Sequence, residues 1–192
     1  MKLLNKIFLE VWNSTRNIEP LGNKPVLEIM KQGTDILNCL ELNYWCSAGT
    51  VLGLVREKRG YITYDTDIDV EVLVNNQDEI HLIRNAFCHK GYTVVREMRY
   101  RRKIMQLTFA GPFNILFDIY FYYDNGGANI INHNSMGILR LPKRFIRIKE
   151  YCRGFKCPSP INDYLVYRYG KDWMIPTGKK LNWTETSGEA LI

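Results

Sequence analysis

Residues 60–72 read GYITYDTDIDVEV, and Asp65, Asp67 and Asp69 alternate through a run that otherwise has strand character. Asp is a poor strand former, so any fold of this chain has to give these carboxylates a purpose. Side chains two positions apart on a strand share a face. Asp67 and Asp69 therefore project side by side, about 6–7 Å apart at Cα, while Ile68 and Val70 point to the opposite, core side. Two carboxylates held this close repel each other unless a cation sits between them. A hard divalent ion does so, and Mg²⁺ in particular takes one or two carboxylates and completes its shell with water and phosphate oxygens. A bare D-x-D also fits a solvated strand face, since Asp is common on surfaces.

Two further stretches favour the metal-site reading. In NILFDIYFYY, Asp118 is the only charge in ten residues of strand-like sequence, and a carboxylate there is costly unless paired, metal-bound or on the wet face of an antiparallel sheet. If this strand neighbours residues 67–74, Asp118 completes a triad. In SAGTVLGLVR (47–56), a glycine turn leads into a helix, whose free N–H groups and positive end can cradle a phosphate. Gly49 allows close approach, Thr50 offers a hydroxyl, and Arg56 can clamp a phosphate bidentately. A glycine and threonine before a helix also make an ordinary helix start.

The chain has 192 residues, 46% hydrophobic and 24% charged, with a net charge of +6, which suits one domain with a sizeable core and an anionic partner. A single α+β domain over residues 1–192 is expected. Its parts are N-terminal helices (1–43), a catalytic sheet core (44–142), a closing helical segment (143–176) and a loose tail (177–192). The opening residues MKLLNKIFLEVWNSTRN read as an amphipathic helix and not as a signal peptide. The spacing Val26, Met30, Gly33, Leu37, Leu40 predicts a helix with Pro25 in its first turn. A short strand in YWCSAGT, a helix from TVLGLVREK, a strand DIDVEVLV and a helix after Asn75 or Asn76 follow. Then come neighbouring antiparallel strands in YTVVREM, KIMQLTFA and NILFDIYFYY, a DNGG turn before ANIINHN, and a closing helix with Ser159 as N-cap and Gly170 past its end.

Five cysteines (39, 46, 88, 152, 157) form no C-x-x-C and lack the partners of a zinc site. They read as free thiols in a reducing compartment. His81, His89 and His133 are scattered and read as surface or packing residues. No stretch approaches the ~18 apolar residues of a membrane span, so a cytoplasmic protein with no transmembrane segment is expected. Basic runs at Arg96, Arg99, Arg101, Arg102, Lys103 and at Arg140, Lys143, Arg144, Arg147, Lys149 suit nucleic-acid phosphates, an anionic glycan or donor, or sheet edges kept from pairing. No nucleic-acid-binding motif accompanies them, and no nucleic-acid partner is expected. The aromatics Phe117, Tyr120, Phe121, Tyr122 and Tyr123 suit a core face with a groove wall behind it, or a cage for a choline-like cation.

The order AGT … DIDV … FDIY resembles the nucleotidyltransferase fold of polymerase β-like enzymes, a mixed or antiparallel sheet flanked by helices. GTVLGLVREKRGYITYDTDIDVEV and FKCPSPINDYLVYRYGKDWMIP together resemble the two signature blocks of the LicD and fukutin family, over residues 25–176. Thr63-Tyr64 stands where that family usually has Pro-Trp, and Thr66 where an acid is frequent. The resemblance implies transfer of a phosphorylated alcohol, such as phosphocholine or a polyol phosphate, from a CDP-linked donor to a hydroxyl of a glycan or lipid-linked glycan, with release of CMP. It implies Mg²⁺ (or Mn²⁺) on Asp67 and Asp69, with Asp118 sharing the metal or deprotonating the acceptor. Gly49, Thr50 and Arg56 would grip the donor diphosphate, with Asp65 accessory. The same acids suit an enzyme that attacks the α-phosphate of an NTP and releases pyrophosphate. A basic nucleic-acid-binding protein without catalysis is the third reading.

Overall fold

The computed structural model describes residues 8–12, 18–134 and 137–176. At its centre, strand β3 (Asp67–Val74) runs parallel to β6 (Leu116–Asp124). Around this pair lie β1 (Phe8–Trp12), β2 (Asn43–Cys46), β4 (Thr93–Tyr100), β5 (Lys103–Ala110), β7 (Asn129–Asn134) and β8 (Gly137–Pro142). The eight-stranded sheet has the order β1-β4-β5-β6-β3-β2, and the β7–β8 hairpin attaches through the end of β6. All of its pairings except β3–β6 are antiparallel. A separate two-stranded ribbon joins β9 (Glu150–Cys152) to β10 (Phe155–Cys157).

One face of the sheet is apolar and covered by helices α1 (Val26–Cys39) and α3 (Gln77–His89). Ile68, Val70, Phe109, Phe117 and Ile119 are buried there. Phe87 of α3 stacks on Phe109 at 4.6 Å between ring centroids and lies 5.4 Å from Phe117. Each such fully buried aromatic stabilises the fold by about 1.5–3 kcal/mol. Gly33 of α1 passes so close that a Cβ there would stand 2.3 Å from the Phe117 ring. The helix starts where its caps allow. Asn76 Oδ1 accepts from the N–H groups of Asp78 and Glu79, which opens α3. Gly91, at φ +85, takes the chain out past its end.

The opposite face carries the acids and is closed by α2 (Ala48–Arg56) and α4 (Ile161–Tyr169). α2 meets the segment 61–62 without a side chain between them, because a Cβ on Gly53 would lie 2.7 Å from Tyr61 Cα. That contact holds the loop leading into Asp65 and Asp67.

Three sequence expectations give way here. The opening stretch is not an amphipathic helix over residues 8–12: they form β1, paired antiparallel with β4 from Phe8↔Tyr100 to Trp12↔Arg96. Pairing with a free sheet edge overrides the local helical period. The segment 143–176 is not only helical, since it includes the β9–β10 ribbon. Ser159 does not cap α4. The helix begins at Ile161 with Pro160 before it, and Glu150 Oε2 accepts the Ile161 N–H at 2.9 Å. A carboxylate from β9 thus does what a local cap would do. The tail 177–192 lies outside the described residues.

Helix propensity alone favours Ala over Gly by about 1 kcal/mol. At Gly53 the backbone approach reverses the sign: Gly53→Ala is expected to destabilise by about 1–3 kcal/mol, measured by urea unfolding. A stabilised variant would contradict this packing.

Candidate active site

Parallel pairing puts Asp69 directly opposite Asp118. Asp67 lies two residues before Asp69 on the same face, so all three carboxylates converge. One oxygen from each lies within 4.8 Å of the others. Two ligands on opposite sides of an ion with bonds of about 2.1 Å stand about 4.2 Å apart, so this spread suits a divalent cation with small adjustment. Asp118 gives a second sign. Its Oδ2 accepts from Gln106 Nε2 at 2.8 Å and from the Tyr120 hydroxyl at 3.4 Å, whereas Oδ1 is buried without a hydrogen-bond partner. A carboxylate oxygen left bare at 4% exposure is costly unless a cation serves it. The residues therefore fit a divalent metal.

The electrostatics agree. Burial, then the charges of Asp67, Asp65 and Asp118, push the Asp69 carboxyl well above its ordinary range, and Arg168 offsets part of this. Burial likewise raises Asp118, against the pull of Thr108, Arg96, Tyr120 and Gln106. Tyr120, buried beside them, is held protonated far above its usual value, so its hydroxyl acts as a donor.

The N-terminus of α2 locks the triad in place. Thr50 Oγ1 accepts the Asp69 N–H at 2.7 Å, and Ser47 donates its N–H to Asp69 O at 3.1 Å. Gly49 and Thr50 lie inside the first turn of the helix and not in a loop before it. Ala48, at its first position, sits at φ +44, a strained conformation for a residue with a side chain. Its N–H is taken by the Tyr164 hydroxyl at 3.1 Å. A Cβ on Gly49 would stand 2.4 Å from Asp65 Oδ2 and 3.7 Å from Asp69 Oδ2. The glycine thus leaves room for carboxylates at the positive end of the helix, where they are favoured. Arg56 closes the other end of α2, with Nε on Glu57 at 2.7 Å and Nη1 on Trp173 O at 3.3 Å.

Ala48, Gly49, Arg56, Asp65, Asp67 and Asp69 border a cleft of ≈ 350 Å³ whose wall also includes Tyr64, Tyr120, Asn134, Glu71 and Arg168. Glu71 and Arg168 were not singled out by sequence reasoning. Glu71 continues the alternation of Asp67 and Asp69 and could have been read from it. Arg168 belongs to α4 and had no spacing to betray it. Gln106, which aims Asp118, was equally silent.

The aromatic strand divides as core and groove wall: Phe117, Phe121 and Tyr122 are buried, Tyr120 lines the cleft, and the Tyr123 hydroxyl donates to Ile104 O. The basic runs also divide. Arg96 aligns with Thr108 and Asp118 across the sheet, Arg99 pairs with Glu97, and Lys143 bridges Asp124 at 2.7 Å. Arg101 and Arg102 turn the β4–β5 hairpin at φ 48 and 69.

A mixed sheet with this acid triad beside the N-terminus of a helix is the nucleotidyltransferase architecture. The solved lincosamide antibiotic adenylyltransferase LnuA, lincomycin-bound, shares the fold with a TM-score of 0.52 over 79% of this chain and 89% of its own, at 15% identity. The profile of the LicD/FKTN/FKRP nucleotidyltransferase domain matches residues 41–151, more than half of the chain, and the protein belongs to that family. Among curated proteins it is 28% identical to the mouse ribitol-5-phosphate transferase FKTN and 25% identical to the human one, each over 93% of this chain. It spans 39% of the length of those relatives. An uncharacterized protein of Rickettsia prowazekii is 39% identical over 38% of this chain and 27% of its own length. No helix among the described residues is long and apolar enough to cross a membrane.

The repulsion within the triad makes a testable asymmetry. Both acids are raised in the folded state, so without metal their charging destabilises the fold as pH rises above the ordinary Asp value of 3.8. Asp118→Asn is therefore expected to raise the metal-free melting temperature by a few degrees at about pH 8. The gain should vanish as the pH falls below that ordinary value, and the variant should no longer be stabilised by added Mg²⁺. Differential scanning calorimetry with and without Mg²⁺ checks both.

Proposed function

We propose that this chain is a divalent-cation-dependent phosphotransferase. It moves a phosphorylated alcohol, such as phosphocholine, ribitol phosphate or a similar polyol phosphate, from a CDP-linked donor to a hydroxyl of a glycan or lipid-linked glycan. The observation that carries this reading is the Asp69–Asp118 register with Asp67 beside it, three ligand oxygens within 4.8 Å of one another, with Asp67 and Asp69 lining a cleft. Its support from relatives is the family membership and the two curated enzymes named as ribitol-5-phosphate transferases.

In this reading Asp67, Asp69 and Asp118 hold Mg²⁺ or Mn²⁺. The bound cation neutralises charge that develops on the phosphate oxygens. Gly49 and Arg56 line the donor side of the cleft, Thr50 supports it from behind through the Asp69 N–H, and Asp65 stands next to Gly49 as an accessory acid. The acceptor oxygen bonds to the phosphorus that bears the alcohol, the bond from that phosphorus to the bridging oxygen breaks, and CMP leaves with the electron pair. The acceptor proton passes to a carboxylate of the site; where Asp67 and Asp69 alone hold the cation, Asp118 is the one placed to take it. Most of the rate then comes from positioning and charge neutralisation. Five cysteines without a disulfide suit a reducing compartment, and the cytoplasm is part of this reading.

Incubation with Mg²⁺, a panel of CDP-alcohols and a panel of NTPs tests the assignment. Release of CMP with a glycan acceptor supports it, and release of pyrophosphate from an NTP would replace it with nucleotidyl transfer. Asp67→Asn and Asp69→Asn are each expected to lower kcat by about 10²–10⁴-fold with the fold intact, measured by CMP release. Full activity in either variant would contradict the metal site.

A further inference from the structure

Five carboxylates crowd the cleft: Asp65, Asp67, Asp69 and Glu71 line it, and Asp118 completes the triad. A donor phosphate brought to this place meets a strongly negative field. The backbone cradle at the start of α2 does little to offset it. The Ala48 N–H is already donated to Tyr164, and Asp65 fills the room beside Gly49. Among the described residues, two arginines border the cleft. Arg56 is braced against Glu57 and Trp173 O, at the far end of α2 from the triad. Arg168 instead reaches down from α4 onto the acidic face of the sheet.

Arg168 is only 8% exposed, and its Nη1 stands 3.8 Å from Glu71 Oε1. That separation makes an ion pair but exceeds a charge-assisted hydrogen bond of about 2.7–2.9 Å. Glu71 itself is 1% exposed and held rigidly, accepting from Trp45 Nε1 at 2.6 Å and from the Tyr122 hydroxyl at 3.3 Å. It lies one step beyond Asp69 on the same face of β3. A rigidly held carboxylate of the central strand thus faces the guanidinium. A buried pair of this kind contributes little net stability compared with apolar residues of the same shape, so stability alone gives weak grounds for it.

We propose that Arg168 is the cation that receives the donor phosphate beside the acid triad, and that Glu71 is the positioning residue that holds it there. The inference rests on the phosphotransferase reading and deepens it by naming a phosphate ligand outside the metal site. A planar fork with several N–H donors matches two phosphate oxygens, which an ammonium cannot do. α4 carries this group, and Tyr164 on the same helix anchors it to the start of α2. The closing helix is thereby a wall of the donor site and not merely a cover for the sheet. Arg168 also lies beyond residues 41–151, the part matched by the family profile.

Calorimetric titration of CDP and of cytidine into the wild-type chain, Arg168→Gln, Arg168→Lys and Glu71→Gln, with Mg²⁺ present, tests this. Arg168→Gln is expected to weaken CDP about 10–100-fold and leave cytidine unchanged. Arg168→Lys keeps the charge and the pairing with Glu71, so it folds and shows a smaller loss. Glu71→Gln removes the charge, keeps the Trp45 hydrogen bond on its amide oxygen and can donate its NH2 to the Tyr122 hydroxyl; it is expected to weaken CDP several-fold, again with cytidine unchanged. Titration of Mg²⁺ alone should give wild-type affinity in Arg168→Lys. Equal CDP affinity in the wild type and both Arg168 variants overturns this proposal alone, as does a parallel loss of CDP and cytidine binding, which would mark a structural role. A wild-type chain that binds no CDP overturns both this proposal and the donor assignment.

Discussion

The parallel pairing of β3 with β6 sets two carboxylates side by side in the middle of a sheet whose other face is solid hydrocarbon and aromatic ring. Such an arrangement is unfavourable on its own, because burial and mutual repulsion both oppose the charged forms. Much of the surrounding structure exists to hold it. Phe117 and Ile119 flank Asp118 in sequence and plug into the helical layer, so β6 cannot rotate its acid away. The Asp69 peptide is gripped on both sides by Ser47 and Thr50. Gln106 occupies one oxygen of Asp118 and leaves the other facing its neighbours. The site is therefore preorganised by hydrogen bonds that have no catalytic chemistry of their own.

Elements distant in sequence close around that centre in a definite order. α2 brings its positive end to Asp65 and Asp69. α4 then fastens to the first peptide of α2 through Tyr164, and the Trp173 carbonyl fastens to the last turn of α2 through Arg56. The strained backbone at Ala48 lies at the junction of these contacts. Strain of this kind persists only where the neighbours over-determine the conformation, and here both the sheet and the closing helix do so.

Membership of the LicD/FKTN/FKRP family places the acid triad in a setting where curated relatives carry names of phosphate-group transfer. The chain covers 39% of the length of those relatives, and what it shares with them is this domain. The buried cation beside the triad, and the sheet residue that orients it, are properties of the domain itself and do not depend on the remaining length of the relatives.

The sequence by itself determined the parts whose physics is local. The alternation of Asp67 and Asp69, the bounds of β3, a cap for α3 at Asn75 or Asn76 and the antiparallel run of β4, β5 and β6 all follow from side-chain direction, capping and β-branched content within a few residues. The role of Asp118 was half legible: a lone charge in an apolar strand demands a partner, and a triad with Asp67 and Asp69 followed only on the condition that its strand lie beside residues 67–74. Tertiary structure alone decided that β6 lies parallel to β3 in the register that opposes Asp118 to Asp69. It also decided that residues 8–12 pair as an edge strand, that Glu150 caps α4, and that Arg168 meets Glu71. Each of these joins groups far apart in the chain through pairing or packing, and no periodicity within a single segment encodes a contact whose other half lies in another.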